Sequence, residues 1–209
     1  MKTALFAFVL LFALVSQPLL GAAEASPDEV VDTVGKLLRA GVNYNILLSM
    51  PYTNSRNPKG LGLSKIGKSC PLDVVVVDRY HSLPLRFIPV NPKKGVIRVS
   101  TDLNIMFPPN ITCPHHSTVW KLESFKVSKG RSLSLVSTGG VKGNPGRETI
   151  GNWFKIEKYG GAYKLVYCPS VCPYCKHVVC ENVGMFVDEK GNHRLALSAV
   201  PFQVKFLKA

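Results

Sequence analysis

The sequence lacks the short motifs that mark the common catalytic centres. It contains no G-x-S-x-G, no H-E-x-x-H and no glycine-rich loop that would cradle a phosphate. Acidic residues are few, 13 against 26 lysines and arginines, which leaves little material for the paired carboxylates of a glycosidase. We therefore expect that the protein is not an enzyme and that it holds no cofactor and no metal ion.

Long apolar runs are missing after the first 25 residues, so this part is not expected to cross or bind a membrane. The N-terminus differs: Lys2 gives a short positive region, and residues 4–15 form an unbroken apolar run. Ala23-Glu24-Ala25 then fits the small-x-small pattern that signal peptidase recognises. We expect residues 1–25 to be a signal peptide and residues 26–209 to be one domain, secreted to the extracellular space or apoplast.

Long runs of one charge are missing as well. The formal net charge is +13, yet the basic residues occur singly or in pairs such as Lys93-Lys94, and no run of five occurs. A basic surface favours nucleic acid, acidic polysaccharide or acidic proteins as partners. Because the protein is expected outside the cell, we expect no nucleic acid and keep acidic cell-wall polysaccharide as a candidate partner.

Cysteine is concentrated in one place. Four of the six cysteines fall between Cys168 and Cys180, in the stretch CPSVCPYCKHVVC, with His177 among them. This stretch is compatible with a zinc site, a redox-active C-x-x-C pair or disulfides. An even number of cysteines in the oxidising environment outside the cell is typical of a disulfide framework. We therefore expect disulfides, with zinc binding and redox chemistry as the alternatives.

Helical patterns are weak along the whole chain. Residues 31–39 have an amphipathic pattern, but Gly35 and Gly41 indicate a turn and a loop there. Short β-branched and aromatic runs recur instead, such as VNYNILLS (42–49), DVVVVD (73–78) and GVIRVS (95–100). About a dozen such runs in one domain predict a sandwich, a barrel or a trefoil.

Several segments carry fixed residues at a specific spacing. In VVDTVGKLLRAGVNYNI these residues are Val30, Asp32, Gly35, Lys36, Leu38, Tyr44 and Ile46. The further segments are CPLDVVV (70–76), STDLNI (100–105), WKL (120–122), NWFKI (152–156) and RLAL (194–197). Together they resemble the plant Kunitz, or soybean trypsin inhibitor-type, protease inhibitors. The run CPSVCPYCK (168–176) is most similar to the miraculin-like branch of that family.

This resemblance, which covers the chain from about residue 30 to its end, implies an all-β fold. The fold would be a β-trefoil of about twelve strands, in which three hairpins close a barrel and three cap it. Members of the family block proteases, most often serine proteases and sometimes cysteine or aspartic ones. The resemblance thus implies a monomeric, defensive inhibitor that blocks an endopeptidase through a substrate-like surface loop. The alternative is a non-inhibitory, miraculin-like extracellular binding or storage protein on the same scaffold.

The resemblance places the inhibitory loop between the runs DVVVVD and LRFIPV. The predicted loop residues are Arg79, Tyr80, His81, Ser82, Leu83, Pro84 and Leu85. This loop is shorter than the soybean-type loop, so the anchor side chain falls near Leu83 or Pro84. Proline fixes φ and lacks an N–H group, which makes the bond before it a poor scissile bond. Since trypsin prefers a basic anchor, we expect a target other than trypsin.

Two further positions bear on this loop. The family often places an asparagine across the reactive loop, but this chain has Ala40 there, whose side chain can make no hydrogen bond. Loss of that bond weakens the case for strong trypsin inhibition. His81 lies within the loop, so its protonation would make binding depend on pH.

The resemblance also implies which cysteines pair. The implied disulfides are Cys70–Cys113, Cys168–Cys180 and Cys172–Cys175. Separately, Asn110-Ile111-Thr112 is an acceptor motif for N-glycosylation in a secreted protein. The pair His115-His116 is expected on the surface rather than at a metal, because adjacent residues of a strand point to opposite faces.

Overall fold

The computed structural model describes residues 26–49, 58–66, 70, 72–109, 113, 115–126, 132–176 and 178–209. The expected signal peptide of residues 1–25, the glycosylation motif at Asn110 and the side chain of His177 lie outside the described residues. Within those ranges, no helix has the length and apolar character needed to cross a membrane.

The described part of the chain contains twelve strands and short 3-10 turns, as the all-β prediction requires. The strands are β1 Tyr44–Ser49, β2 Lys59–Ser64, β3 Asp73–Asp78, β4 Arg86–Pro89, β5 Leu103–Met106, β6 Lys121–Lys126, β7 Ser132–Ser137, β8 Lys155–Tyr159, β9 Ala162–Tyr167, β10 Glu181–Val187, β11 His193–Ser198 and β12 Gln203–Lys208. The 3-10 turns are Arg79–His81, Pro92–Lys94 and Arg147–Asn152.

The prediction of a strand at GVIRVS (95–100) is wrong. This segment makes only isolated bridges, from Val96 to Arg39 and from Arg98 to Glu29. Gly95 and Ser100, at its two ends, have φ values of 64° and 54°. A left-handed backbone at both ends interrupts the extended geometry that a strand needs.

Six of the strands form a closed ring. β1 pairs with β12 along its full length, β12 pairs with β9, and β9 pairs with β8. Bridges complete the circle: Phe154, just before β8, pairs with Leu103 of β5, and Leu85, just before β4, pairs with Tyr44 of β1. β4 and β5 pair with each other. Closing the ring leaves these strands no free edge along which another chain could pair.

The other six strands form three hairpins that contact one another. The hairpins are β2–β3, β6–β7 and β10–β11. Their contacts close a triangle: Asp73 pairs with Ser137, Leu135 with Ala196, and Val75 with Arg194. The loop of residues 79–85 leaves this triangle from β3 and enters the ring at β4.

The core lies inside the ring and under the triangle. Every second side chain of a strand points into this core. In β1, for example, Tyr44, Ile46 and Leu48 are buried and the residues between them are not. Phe87 and Phe206 pack edge to face with ring centroids 5.3 Å apart. Such aromatic pairs add about 0.5–1.5 kcal/mol beyond their buried area, so the core has specific packing.

One ion pair is buried among the three hairpins. The Arg194 guanidinium donates a hydrogen bond to the Asp73 carboxylate, and both side chains are more than nine-tenths buried. Burial raises the pKa of Asp73, and the hydrogen bond and charge of Arg194 oppose that rise. The pair ties β11 to β3, the strand from which the loop departs.

Candidate functional site

The loop of residues 79–85 begins as a tight turn and then straightens. Residues Arg79–His81 form one 3-10 turn directly after β3. Ser82 then returns to an extended backbone, with φ of −71° and ψ of 144°. A protease binds its substrate as an extended chain, so only the second part of this loop has a substrate-like backbone.

The exposed side chains are those of the turn. Arg79, Tyr80 and His81 are exposed, and Tyr80 is 93% exposed. Leu83 is half-buried against the core, and Leu85 is fully buried. Of the two positions expected for the anchor, Leu83 packs against the core and Pro84 is half-buried, whereas Tyr80 projects.

The base of the loop is held at both ends. At the turn, the Ser82 N–H and hydroxyl both donate to the Arg79 carbonyl, at 3.1 and 2.7 Å. The Leu83 N–H then donates to the carbonyl of Leu61 in β2, at 2.8 Å. Leu85 exchanges two backbone hydrogen bonds with Tyr44 of β1, at 2.7 and 2.8 Å. A loop fixed in this way loses little conformational entropy when it docks.

The N-terminal segment supports the loop through a residue that the sequence did not reveal. Ala40 uses its backbone N–H to bond the Gly95 carbonyl, and its side chain packs against the core. Asn43, three residues later, accepts a hydrogen bond from the Arg86 guanidinium at 2.6 Å. An asparagine thus reaches the end of the loop although Ala40 cannot.

An ion pair flanks the turn. The Lys59 ammonium lies 2.5 Å from the Asp78 carboxylate, and this hydrogen bond and charge hold the pKa of Asp78 below its ordinary value. His81 adds a smaller effect in the same direction. Asp78 is largely exposed and Lys59 is partly exposed, and surface ion pairs of this kind contribute little to stability. We therefore assign the fixed shape of the loop to its backbone bonds and packing.

Packing against Gly60 of β2 gives a testable prediction. A Cβ atom at Gly60 would lie only 2.4 Å from the Cβ atom of Ser82. The exchange Gly60→Ala should therefore push the loop away from β2 and lower the free energy of unfolding by about 1–3 kcal/mol. Urea unfolding measures the change.

Gly151→Ala is the matched control, because its new methyl group would meet nothing closer than 3.9 Å. That exchange should change the free energy of unfolding by less than about 1 kcal/mol. Equal losses in the two variants would show that Ser82 does not rest on β2 as the structure has it.

The cysteines form three disulfides in the described part of the chain. They join Cys70 to Cys113, Cys168 to Cys180 and Cys172 to Cys175, with Cα atoms 5.9, 4.3 and 5.3 Å apart. These are the pairs that the resemblance implies.

The histidine pair His115-His116 lies on the surface. His115 and His116 are exposed, and His115 has a φ of 68°. Among the described residues, no three His, Cys, Asp or Glu side chains come together in a way that could hold a metal ion.

Comparison with known proteins gives a consistent result. The profile of the legume-type Kunitz family, described as trypsin and protease inhibitor, matches residues 30–208. Miraculin of Synsepalum dulcificum is 46% identical, over 95% of this chain and 91% of its own length. Kunitz trypsin inhibitor 5 of Arabidopsis thaliana is 40% identical over the full length of both chains.

Solved structures agree with the sequence matches. A Kunitz-type cysteine protease inhibitor from potato is 33% identical, with a TM-score of 0.76 over 88% of this chain and 98% of its own. The chain therefore belongs to the legume-type Kunitz family of trypsin and protease inhibitors.

Proposed function

We propose that this chain is a secreted inhibitor of endopeptidases that docks through the loop of residues 79–85. The main support for this proposal is that the base of the loop is hydrogen-bonded to β1 and β2, while the side chains of Arg79, Tyr80 and His81 project. The closed ring of six strands and the triangle of three hairpins support a β-trefoil as the scaffold. In this proposal residues 1–25 are removed as a signal peptide, Asn110 is glycosylated, and the protein acts as a monomer outside the cell, in plant defence.

Tyr80 is the anchor in this proposal. Tyrosine is enriched among interface residues that dominate binding, because it buries a large rigid surface at low entropic cost. A side chain that is 93% exposed on a fixed turn meets the geometric requirement for entering a pocket. The aromatic ring suits an apolar specificity pocket of the chymotrypsin type better than the acid-based pocket of trypsin.

The turn also suggests how the protein avoids being cleaved. The peptide bonds on either side of Tyr80 belong to the 3-10 turn Arg79–His81 rather than to an extended segment. An extended chain pairs with the protease cleft as an added strand, whereas a 3-10 turn cannot. We infer that the loop blocks the cleft without offering a bond for attack.

Titration against four proteases tests the proposal. The purified protein is incubated with trypsin, chymotrypsin, papain and an aspartic protease at pH values where each is active. We expect tight inhibition of at least one enzyme, chymotrypsin ahead of trypsin, with loop 79–85 intact afterwards by mass spectrometry. Absence of inhibition of all four at micromolar concentration would contradict the proposal.

The net charge of +13 favours one other function, the binding of acidic cell-wall polysaccharide. In that case the protein would be a non-inhibitory extracellular binding protein on the same scaffold. Retention on pectin at low salt and release at high salt, without inhibition of any of the four proteases, would favour this alternative.

A further inference from the structure

A groove of about 730 Å³ lies beside the turn that Cys172 and Cys175 close. Its described lining comes from β6, β7, β9, β10 and β11, the 3-10 turn Arg147–Asn152, and residues 174–176, 178 and 179. None of its described lining residues belongs to the loop 79–85. Sites for small organic ligands have volumes of roughly 300–1,000 Å³, so the groove has the size of a ligand site.

Apolar side chains form much of its surface. Leu122, Ile150 and Leu197 line it from three different elements. Tyr174 and Val179 also line it and are 72% and 50% exposed. Each Å² of this exposed apolar surface that a ligand covers would contribute about 25 cal/mol to the free energy of binding. The groove therefore offers a binding surface for an apolar body.

The hydroxyl of a largely buried tyrosine lines the same groove. Tyr167 is only 8% exposed and packs its ring against Phe154, with centroids 5.9 Å apart. Its hydroxyl has no hydrogen-bond partner among the described residues. Burial raises the pKa of Tyr167, so at neutral pH it is an O–H donor. Because this hydroxyl is not cut off from the solvent in the groove, it can donate a hydrogen bond to a ligand oxygen that enters there.

The charges of the lining favour an anion. Arg147 and Lys176 both line the groove, and in the described part of the chain neither side chain has an ion-pair or hydrogen-bond partner. Glu181 is the only acidic side chain among the described lining residues. The lining thus has one net positive charge, in addition to the Tyr167 donor.

The disulfide at the edge of the groove shapes its wall. Cys172 is buried, Cys175 lines the groove, and the Cys175 N–H donates to the Cys172 carbonyl at 3.0 Å. The short ring that these residues close carries Tyr174 and is followed at once by Lys176. The C-x-x-C pair thereby positions one apolar and one cationic part of the lining.

We propose that this groove binds a small amphipathic organic anion, a carboxylate or sulfonate group attached to an apolar body. The acidic group accepts hydrogen bonds from Arg147, Lys176 and the Tyr167 hydroxyl. The apolar body covers Leu122, Ile150 and Leu197. Such a site is separate from loop 79–85 and does not depend on protease inhibition.

A matched pair of fluorescent probes tests the site. The anion 8-anilinonaphthalene-1-sulfonate and the uncharged N-phenyl-1-naphthylamine share an apolar body and differ in the sulfonate. We expect saturable binding of the anion at one site per chain, at least about tenfold tighter than the uncharged probe, as charge-assisted hydrogen bonds require. Equal binding of both probes, or no saturable binding of the anion, would overturn the proposal.

Three variants locate the binding. Arg147→Gln should weaken the binding of the sulfonate probe about tenfold and leave the binding of the uncharged probe unchanged. Tyr167→Phe, which removes only the hydroxyl, should weaken the binding of the sulfonate probe by a factor of about 3–10. Arg39→Gln makes the same charge change at an exposed arginine outside the groove, and its effect should stay below about twofold.

The two arginine variants decide between a site and a general charge effect. An equal loss in Arg39→Gln and Arg147→Gln would mean that the sulfonate senses only net charge, which contradicts the proposal. Both side chains are exposed, so both variants should keep the unfolding midpoint of the parent protein. Inhibition of the target protease should be the same for Arg147→Gln and the parent, because the groove and the loop are separate.

Discussion

The exchange Arg194→Met is expected to lower the free energy of unfolding by about 3–5 kcal/mol. Arg194 donates to the Asp73 carboxylate among the three hairpins, where both side chains are more than nine-tenths buried. Removing the guanidinium leaves a buried carboxylate without its cation, and such a charge is costly because water cannot reach it. Urea unfolding at pH 7, with an unchanged m-value, measures the loss.

Arg98→Met is the control for this prediction. Arg98 pairs with Glu29 at 2.8 Å on a more exposed surface, and pairs of this kind contribute about 0–1 kcal/mol. A second variant, Arg194→Met with Asp73→Leu, removes both charges and should recover most of the loss. Equal effects of Arg194→Met and Arg98→Met would contradict the buried pair.

The loss in Arg194→Met should also shrink as the pH falls. Burial already raises the pKa of Asp73, and Arg194 opposes that rise. Without Arg194 the pKa of Asp73 in the folded state rises further above its value in the unfolded state. The folded state then binds a proton at Asp73 more readily than the unfolded state does. The difference in unfolding free energy between the variant and the parent protein should therefore be smaller at acidic pH and larger as the pH rises. Unfolding at pH 4 and pH 7 tests the sign.

Replacing Cys70 and Cys113 by alanine is expected to cost about 4 kcal/mol of unfolding free energy. These cysteines are 43 residues apart, so their disulfide restricts a long loop of the unfolded chain. Cys172 and Cys175 are 3 residues apart, and the same chain-entropy relation gives about 2 kcal/mol for their removal. Chemical unfolding of both double variants without reductant should therefore rank the Cys70–Cys113 variant as the less stable.

The opposite ranking would show that the bridges do not act mainly on the unfolded chain. A smaller loss for the Cys70–Cys113 variant would also follow if these two cysteines were not joined. Peptide mapping of the unreduced parent protein distinguishes these two cases.

Strands with clear alternation could be predicted from sequence because their pattern is local. The prediction for β1 succeeds because Tyr44, Ile46 and Leu48 are apolar or aromatic at every second position and all three are buried. Residues 95–100 have a similar composition, yet Gly95 and Ser100 adopt left-handed backbones. That conformation depends on neighbours far along the chain, among them Leu38 and Ile156, whose carbonyls accept hydrogen bonds from this segment.

The candidate loop could be located from the resemblance, but not the side chain that projects from it. The choice of Tyr80 depends on the 3-10 turn and on Ser82 resting against Gly60, a contact between the loop and β2. The Asn43–Arg86 hydrogen bond joins residues 43 positions apart. Likewise, the groove beside Tyr167 collects residues from Leu122 to Leu197, a span that local patterns do not reveal.

In the proposed mode of inhibition, Tyr80 anchors the inhibitor in its target protease. The direct measurement is the inhibition constant of Tyr80→Ala against the enzyme that the parent inhibits most tightly, beside Tyr174→Ala. Tyr174 is the matched control, since it is also an exposed tyrosine, at 72%, but lies beside the groove. Loss of an interface anchor costs about 2 kcal/mol or more, which corresponds to roughly 30-fold.

We predict that Tyr80→Ala raises the inhibition constant by at least about 30-fold, while Tyr174→Ala changes it by less than about twofold. Both exchanges are at exposed positions, so neither should alter the unfolding midpoint. An unchanged inhibition constant for Tyr80→Ala, or the same rise for Tyr174→Ala, would contradict the role of Tyr80 as the anchor.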